Sequence, residues 1–250
     1  MKILENRVVA ITGAGSGNGK ALAQGLAGYG AKILALDIDI EASSQTAEAI
    51  CAEGGTAWSY HLDVTDSNAC KEVAAKVIEK IGPIDVLVNN AGIIRRSTID
   101  DDDACQAWQD CIDVNATGAF NMVTAFADQL RTTKGNIINM TSITAFVAAR
   151  TFPGYAASKA AVVAMTRALA ATMAADGVRV NSVAPGPFAT PMTASTLANK
   201  GKGDYYTNRV LLGRFGNPDE IVGPVAFMAS DMASFVTGTT LVVDGGLLAE

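Results

Sequence analysis

The sequence predicts an α/β fold: a single domain built on a doubly wound, seven-stranded parallel sheet with helices on both faces. Short β-branched and aliphatic segments alternate with longer Ala-rich segments along the 250 residues. The short segments are apolar throughout, as strands buried on both faces require. No linker-like stretch or internal repeat interrupts this order, so residues 1–250 are predicted to form one domain.

Each predicted strand is followed by a predicted helix or a connecting segment. The strands are expected at residues 7–13, 32–38, 56–64, 84–92, 135–142, 178–186 and 238–246. The helices are expected at residues 19–30, 41–55, 67–82, 103–130, 155–177 and 218–230. Parallel strands need a crossover between them, and crossovers are right-handed, so this alternation builds a doubly wound sheet.

The composition argues against several functional classes. Hydrophobic residues make up 49% and charged residues 18%, which is typical of a globular protein. The net charge is −6 and no run is rich in Lys or Arg, so no nucleic-acid partner is expected. We see neither a signal peptide nor an apolar run of roughly 18 residues, and expect a cytoplasmic protein without a membrane partner. Four cysteines without a C-x-x-C pair and a single histidine predict no metal site.

The first strand ends in a glycine-rich turn, TGAGSGNG, at residues 12–19. The generic pattern G-x-G-x-x-G is not matched, because Asn18 takes the sixth position counted from Gly13. Glycines at 13, 17 and 19 still allow a tight turn and a close approach of backbone N–H groups to a pyrophosphate at a helix N-terminus. The turn therefore favours nucleotide binding, and a purely structural turn is the alternative.

Asp37 ends the second strand, where dinucleotide-binding folds place an acidic residue. A carboxylate at this point accepts hydrogen bonds from the adenosine ribose hydroxyls and repels a 2′-phosphate. No Arg or Lys lies next to Asp37 or within the loop before Lys20. The sequence therefore predicts NAD(H) as the cofactor, preferred over NADP(H), and a helix-capping role is the alternative for Asp37.

Tyr155 and Lys159 lie four residues apart in a predicted helix, so both side chains are on one face. An ammonium group close to a phenol favours the phenolate and lowers the tyrosine pKa from about 10. We therefore expect Tyr155 to act as a general acid and base near neutral pH. The Y-x-x-x-K spacing alone is a weak motif.

Taken together, the motifs resemble those of the short-chain dehydrogenase/reductase family over essentially the whole chain. The matching segments are TGAGSGNG, NNAG at 89–92, VNATG with Asn115, Ser142 thirteen residues before Tyr155, and APG at 184–186 followed by Thr190. The resemblance implies a Rossmann-type domain and an NAD-dependent oxidoreductase. It also implies a homotetramer, formed through the long helices at 103–130 and 155–175 and through the last strand.

The resemblance implies a role for four catalytic residues. Tyr155 would exchange a proton with the substrate oxygen, and Lys159 would bond to the nicotinamide ribose hydroxyls. Ser142 would orient the substrate carbonyl or alkoxide. Asn115 would hold a water that connects Lys159 to bulk solvent. Hydride would pass between the nicotinamide and the substrate carbon.

The cofactor-binding residues implied by the resemblance follow the same motifs. They are Gly13, Ser16, Gly17, Asn18, Gly19, Asp37, Asp63, Val64, Asn90, Ala91, Gly92, Tyr155, Lys159, Pro185, Gly186, Phe188 and Thr190. Asn18 stands where the family usually has an aliphatic residue, and we expect a local effect without loss of binding. Gly15 replaces a frequent serine and is expected to be harmless, while Asn89 is expected to brace its strand.

The substrate is predicted to lie near Ser142 and Tyr155. The expected neighbours are Ile94, Arg95, Arg96, Ala145, Phe152, Met192 and Tyr205. Residues 190–215 are predicted to form a substrate lid, and Gly201 and Gly203 suit a mobile flap. The run NNAGIIRR resembles that of gluconate and deoxygluconate dehydrogenases, and an arginine can clamp a carboxylate. The alternative is that both arginines are solvated or pair with nearby aspartates.

We therefore expect hydride transfer between NAD(H) and a small secondary alcohol or ketone, in particular a polyol, sugar or sugar acid. A 3-oxoacyl-carrier-protein reductase is the alternative within the family, and Asp37 and the acidic composition count against it. A non-catalytic NAD-binding sensor or scaffold is the alternative from another class. Such a protein would usually lack Tyr155 or Lys159, and this chain has both.

Overall fold

A computed structural model describes residues 2–148 and 151–249 of the chain. Within them, one seven-stranded parallel sheet has the order β3-β2-β1-β4-β5-β6-β7. The strands are β1 (Val8–Thr12), β2 (Lys32–Asp37), β3 (Thr56–His61), β4 (Val86–Asn89), β5 (Asn136–Met140), β6 (Arg179–Pro185) and β7 (Thr240–Val243). The predicted doubly wound sheet is confirmed. Met1, Ala149, Arg150 and Glu250 of the predicted domain lie outside the described residues.

Helices cover both faces of this sheet. They are α1 (Gly17–Gly28), α2 (Ile40–Ala52), α3 (Ser67–Lys80), α4 (Ala104–Ile112), α5 (Gly118–Thr133), α6 (Pro153–Met173), α7 (Ala194–Ala198), α8 (Lys200–Arg209) and α9 (Val222–Ala229). A π-helical turn, Asp113–Thr117, joins α4 to α5, so the long helix expected over 103–130 is interrupted by one wider turn. None of the described helices combines the length and apolarity that crossing a membrane requires.

The core has two parts because successive strand residues point to opposite faces of the sheet. On β1, Val9 and Ile11 belong to the apolar cluster that includes residues of α1, α2 and α9. Val8 and Ala10 belong to the cluster that includes residues of α3, α5 and α6. The largest of these side chains, Phe126, is fully buried, and such burial stabilises a protein by about 1.5–3 kcal/mol.

The strand order reverses between β1 and β4, and this reversal positions the site. In open α/β sheets, ligands bind in the crevice outside the carboxyl ends of the strands at such a switch point. The glycine-rich turn follows β1, and Asn90 and Gly92 follow β4. Ser142 follows β5 at the same edge. The fold therefore brings the main sequence motifs to one edge of the sheet.

A buried polar network ties α6 to the middle of the sheet. The Asn89 side chain on β4 donates to Oδ1 of Asn139 on β5 at 2.9 Å. Asn139 in turn donates to the Thr166 hydroxyl on α6 at 2.9 Å. Buried hydrogen bonds of this kind specify one arrangement of the packed elements. Asn89 therefore braces its strand as expected, and the helix that carries Tyr155 and Lys159 has a fixed position.

Candidate active site

A cavity of about 370 Å³ opens at the carboxyl edge of the sheet beside the glycine-rich turn. All of the cofactor-binding positions predicted from the sequence line it, from Gly13 in the first turn to Thr190 after β6. The chain thus brings distant segments to one surface. Whether the cavity suits a dinucleotide depends on how the turn, the acidic residue and the catalytic side chains are arranged.

The glycine-rich turn fits a phosphate group because its backbone lies bare against the cavity. Gly13 has φ +67° and Gly17 has φ +51°, a left-handed conformation that side chains disfavour. A Cβ atom at Gly19 would overlap the carbonyl oxygen of Gly13. Ser16 precedes α1, and its side chain does not cap the helix. The N–H groups of the first turn, on the cavity side, therefore have no side-chain acceptor. This arrangement suits a pyrophosphate.

Thr12 connects the turn to β4, a role that the sequence analysis missed. Its hydroxyl accepts hydrogen bonds from the backbone N–H groups of Asn90 and Ala91, both at 3.0 Å. The Asn90 side chain donates back to the Thr12 carbonyl at 2.9 Å. Because Thr12 is buried, these bonds fix the two cavity walls relative to each other. Only the threonine that opens the TGAGSGNG motif signals this contact.

Asp37 is held in place by the glycine-rich turn. Its Oδ2 accepts a hydrogen bond from the Gly15 N–H at 2.8 Å, and its Oδ1 accepts one from the Asp39 N–H at 3.0 Å. A Cβ atom at Gly15 would lie 2.7 Å from Cβ of Ala42, closer than real side chains approach. Glycine therefore fits at this position, because helix α2 packs directly against it, and the expectation that Gly15 is harmless stays a prediction.

Asn18 lies on the cavity wall in the first turn of α1. Its Oδ1 is buried and has no hydrogen-bond partner among the described residues. The cap position of α1 belongs to Ser16, so Asn18 does not cap the helix. A buried acceptor without a partner has a free-energy cost, which a ligand or water donor could remove.

Ser142, Tyr155 and Lys159 lie together on the wall of the cavity. Lys159 Nζ is 5.8 Å from the centroid of the Tyr155 ring and donates to the Met140 carbonyl at 2.9 Å. Ser142 is 7% exposed and caps a 3₁₀ turn, Ile143–Ala145, through a bond from the Thr144 N–H. The three polar groups that the family resemblance selected are therefore adjacent.

The expected direction of the tyrosine pKa shift is wrong for this structure. Burial raises the pKa of Tyr155 above its usual value, and interaction with the Ser142 side chain opposes this only in part. Burial also lowers the pKa of Lys159 to about 8. Both shifts arise because charged forms are disfavoured away from water. The sequence could give the spacing of the pair but not its depth in the protein.

Asn115 lies in the π-helical turn, next to the cavity but not on its lining. Its side-chain amide donates to the Ile93 carbonyl at 3.0 Å and to the Ser158 hydroxyl at 2.9 Å. Its Oδ1 accepts from the Ile93 N–H at 2.8 Å. A Cβ atom at Gly92 would lie 3.0 Å from this oxygen and 3.3 Å from Lys159 Nζ. Asn115 therefore fixes the segment after β4 against α6, and its predicted water contact stays a prediction.

Of the predicted substrate neighbours, Met192 lines the cavity and the other six do not. Phe152 packs edge-on against Tyr155, with ring centroids 5.9 Å apart. Ile94 and Ala145 are partly buried outside the lining. The structure thus brings only part of this set to the catalytic residues.

The two adjacent arginines have different surroundings. Arg95 pairs with the carboxylates of Asp103 and Asp110, each at 3.5 Å, as the alternative interpretation anticipated. Arg96 donates to the Thr196 hydroxyl at 3.0 Å. Neither guanidinium lines the cavity. The clamp on a substrate carboxylate therefore stays a prediction.

Residues 190–215 contain two short helices, α7 and α8, which follow β6 in the chain. Gly201 and Gly203, expected to loosen a flap, lie inside α8. Tyr205 on α8 is 54% exposed, and its hydroxyl accepts from Arg209 at 2.7 Å. It does not close the cavity, because it extends along its own helix towards solvent.

Several lining residues were not predicted, and most are apolar. They are Ile38, Leu62, Ile93, Val114, Met140, Thr141, Pro191 and Thr193. Ile38 had a usable signal, since it follows Asp37 and is 63% exposed, which is unusual for an isoleucine without a ligand or partner. The others continue strands or turns whose neighbours were predicted.

The arrangement suits proton transfer beside a bound dinucleotide. A phenol, a hydroxyl and an ammonium group line the same cavity as the glycine-rich turn and Asp37. A protonated Tyr155 can give a proton to an oxygen held next to Ser142. The geometry therefore supports oxidation and reduction at a carbon that bears oxygen.

Comparisons with known proteins agree with this geometry. The enoyl-(acyl carrier protein) reductase family model matches residues 13–248. The 3-oxoacyl-(acyl-carrier-protein) reductase of Thermotoga maritima is 40% identical over 249 residues, which are 98% of this chain and 99% of that protein. The 5-keto-D-gluconate 5-reductase of Escherichia coli is 36% identical over 246 residues, 98% of this chain and 96% of that protein.

A solved structure gives the same result. The gluconate 5-dehydrogenase from Burkholderia cenocepacia J2315, in complex with NADP and tartrate, has a TM-score of 0.94 at 36% identity. The match covers 100% of this chain and 98% of that one. The resemblance seen in the motifs, including that to gluconate-type enzymes, is confirmed. The chain therefore belongs to the short-chain dehydrogenase/reductase family and is an oxidoreductase that binds a nicotinamide cofactor.

Proposed function

We propose that this oxidoreductase interconverts a small secondary alcohol and its ketone with NAD(H), and that the substrate is a polyol, sugar or sugar acid. The observation that carries the proposal is the group formed by Ser142, Tyr155 and Lys159 on the wall of a cavity that extends to Asp37. The names of the relatives support the substrate class, since two of those compared act on gluconate or its keto derivative.

Each catalytic side chain has a role that follows from its position. The Tyr155 hydroxyl gives a proton to the ketone oxygen in reduction and takes one from the alcohol in oxidation. The Ser142 hydroxyl donates a hydrogen bond to the same oxygen. Lys159, buried beside the ring, supplies positive charge that favours the phenolate during oxidation. When bound, the nicotinamide supplies or accepts the hydride.

The two directions of the reaction should depend on pH in opposite ways. Because burial raises the pKa of Tyr155, its hydroxyl stays protonated at neutral pH and is ready to donate during reduction. Reduction should decline only as pH rises towards the raised pKa of Tyr155, where the hydroxyl that donates the proton is lost. Oxidation should rise with pH because the phenol must lose its proton. Profiles of kcat/KM in both directions test this, and parallel profiles would contradict it.

The preference for NAD over NADP rests on the carboxylate of Asp37. Two backbone N–H groups hold this carboxylate at the cavity wall, where it would repel a 2′-phosphate. Among the described residues that line the cavity, Lys159 is the sole cationic side chain, and it lies at the catalytic end. The relative from Burkholderia cenocepacia binds NADP, so the preference needs a direct test.

Asp37→Ser should lower kcat/KM with NAD by about 10- to 100-fold, the value of hydrogen bonds to a charged group. The same variant should raise kcat/KM with NADP, because the repulsion of the 2′-phosphate is removed. Asp39→Ser is the matched control, since a serine can still cap α2 and the exposed Asp39 is not on the cavity lining. A wild-type protein that reacts faster with NADP would overturn the proposed preference.

A turnover panel tests the function itself. The panel combines polyols, sugar acids such as gluconate, simple secondary alcohols and a 3-oxoacyl thioester, each with NAD and NADP. The proposal expects the highest kcat/KM for a polyol or sugar acid. Highest activity on the thioester would favour the acyl-carrier-protein ketoreductase, which the Thermotoga maritima relative supports as a second candidate. NADH binding without turnover of any compound would indicate a sensor or scaffold.

We further propose a single domain with a lid at residues 190–215, assembled as a cytoplasmic homotetramer. Large apolar side chains are exposed on the elements expected to meet partners: Trp108 on α4, Phe120 on α5 and Val242 on the edge strand β7. Contact between copies would remove them from water. Exposed free thiols at Cys51 and Cys105 suit a reducing compartment. Light scattering on the purified protein measures the assembly.

A further inference from the structure

The helices of the proposed lid, α7 and α8, have few buried residues. Between Phe188 and Val210, Thr196 on α7 is the one described residue that is buried. Helix α8 has no buried residue. Since buried contacts give an element its stability, α7 and α8 are the part of the site that opens most easily. The C-terminal side of the lid is attached through Val210, which is buried with Ile143 and Leu247. The contact of Thr196 therefore holds the N-terminal side of the lid, at α7.

Arg96 holds Thr196. Its guanidinium Nη2 donates to the Thr196 hydroxyl at 3.0 Å across the gap between the segment after β4 and the lid. The backbone of that segment is fixed, because the Ser97 N–H donates to the Thr151 carbonyl at 3.0 Å. Ser97 is itself buried and donates to Asp103 at 2.9 Å. Arg96 therefore extends from this fixed segment to the single buried side chain of helices α7 and α8.

The same guanidinium contacts the catalytic helix. Arg96 Cζ lies 5.6 Å from the centroid of the Phe152 ring, within the range of a cation–π contact. The Phe152 ring packs against the Tyr155 ring at an interplanar angle of 77° and a centroid distance of 5.9 Å. Edge-to-face pairs of this kind resist rotation of either ring. One arginine thus connects the lid to the tyrosine through a single intervening ring.

The neighbouring arginine shows that this placement is specific to Arg96. Arg95 is neutralised by Asp103 and Asp110 on the outside of the segment. Within residues 2–148 and 151–249, Arg96 has no carboxylate at ion-pair distance. Its charge is therefore directed to the Phe152 ring and the Thr196 hydroxyl.

We propose that Arg96 is a positioning residue that latches the lid through Thr196 and, through Phe152, holds the Tyr155 ring in its catalytic orientation. The proposal rests on the proposed function, in which residues 190–215 are a lid and Tyr155 transfers the proton. Lid opening breaks the bond between Arg96 and Thr196. Lid closure restores it, while the separate contact with Phe152 holds the ring whether the lid is open or closed.

Thr196→Val tests the lid contact, because valine keeps the shape of threonine and lacks the hydroxyl. We expect trypsin to cut after Lys200 and Lys202, both exposed on α8, about 3- to 10-fold faster, the effect of one lost hydrogen bond. KM for the substrate should rise by a similar factor, with kcat nearly unchanged. Thr196→Ser keeps the hydroxyl and should behave like wild type. Ser195→Val, an exposed change on the same helix, should do so as well.

The two contacts of Arg96 can be separated. Phe152→Leu should lower kcat without changing the trypsin rate, because the lid contact remains. Arg96→Met should lower kcat and also speed trypsin cleavage. Adding Thr196→Val to Arg96→Met should cause no further increase in cleavage, since the two changes remove the same bond. The mass of each fragment identifies the bond that trypsin has cut. The rates after Lys200 and Lys202 are therefore measured separately from the trypsin site that Arg96→Met removes.

Two results would overturn the latch. If Arg96→Met raises KM for sugar acids alone and leaves trypsin cleavage unchanged, Arg96 binds the substrate carboxylate and not the lid. If the effects of Arg96→Met and Thr196→Val on cleavage multiply, the residues act independently. A wild-type protein inactive on the whole panel would refute the proposed function, yet cleavage of Thr196→Val and Thr196→Ser would still decide whether the contact holds the lid.

Discussion

Tyr155→Phe should lower kcat by about 10²- to 10⁴-fold in both directions, the usual contribution of a general acid or base. The substitution removes a hydroxyl and keeps the ring, so the packing of Phe152 against it is retained. NADH binding, measured by fluorescence, should change little. Single-turnover rates with the best substrate of the panel measure the effect on chemistry.

Tyr60→Phe is the control for this variant, because Tyr60 lies on β3 away from the cavity lining. It should react like wild type. If Tyr155→Phe also retains the wild-type rate, Tyr155 is not the proton donor, whatever its position. The Ser142 hydroxyl would then be the next candidate, since it is the other hydroxyl of the group beside Lys159.

Gly19→Ala should weaken NADH binding by about 10- to 100-fold or abolish it. The added Cβ would overlap the Gly13 carbonyl, so the turn and the start of α1 must separate. Overpacking of this kind costs about 1–3 kcal/mol even where the structure can adjust. Here the adjustment displaces the N–H groups that suit the pyrophosphate. Fluorescence titration with NADH and the melting temperature measure the two consequences.

Gly28→Ala, at the other end of the same helix, is the matched control. A Cβ atom there would meet nothing within 4 Å. Alanine has a higher helix propensity than glycine by about 0.8–1 kcal/mol, so the control should be as stable as wild type or more so. Equal losses of NADH binding in both variants would show that the glycine-rich turn is not the cofactor site.

The fold was predictable because its signal is local. The seven apolar runs lie where the strands are, and right-handed crossovers between parallel strands build the doubly wound sheet. The cofactor-binding positions were implied by the family resemblance, and the fold explains why they meet at one site. Motifs such as NNAG and APG end strands, and the carboxyl ends of parallel strands meet at one edge, so each motif reaches the cavity without knowledge of long-range contacts.

The remainder depends on distances that the sequence does not contain. The pKa of Tyr155 is raised because the ring lies deep in the protein, and spacing along a helix gives no measure of depth. The pairing of Arg95 with Asp110 joins a loop to α4. The requirement for Gly15 arises from the approach of Ala42 on another helix. Each is a contact between elements, set by packing.

The two bonds to the Asp37 carboxylate constrain how such an enzyme could acquire a new coenzyme. One oxygen is engaged by the Gly15 N–H and the other by the Asp39 N–H. An uncharged replacement has at most one comparable acceptor, so removal of the negative charge also loosens the first turn that cradles phosphate. The choice of coenzyme and the rigidity of the glycine-rich turn therefore depend on the same carboxylate. A lineage that changed the coenzyme would also need a substitution that restores this support for the turn.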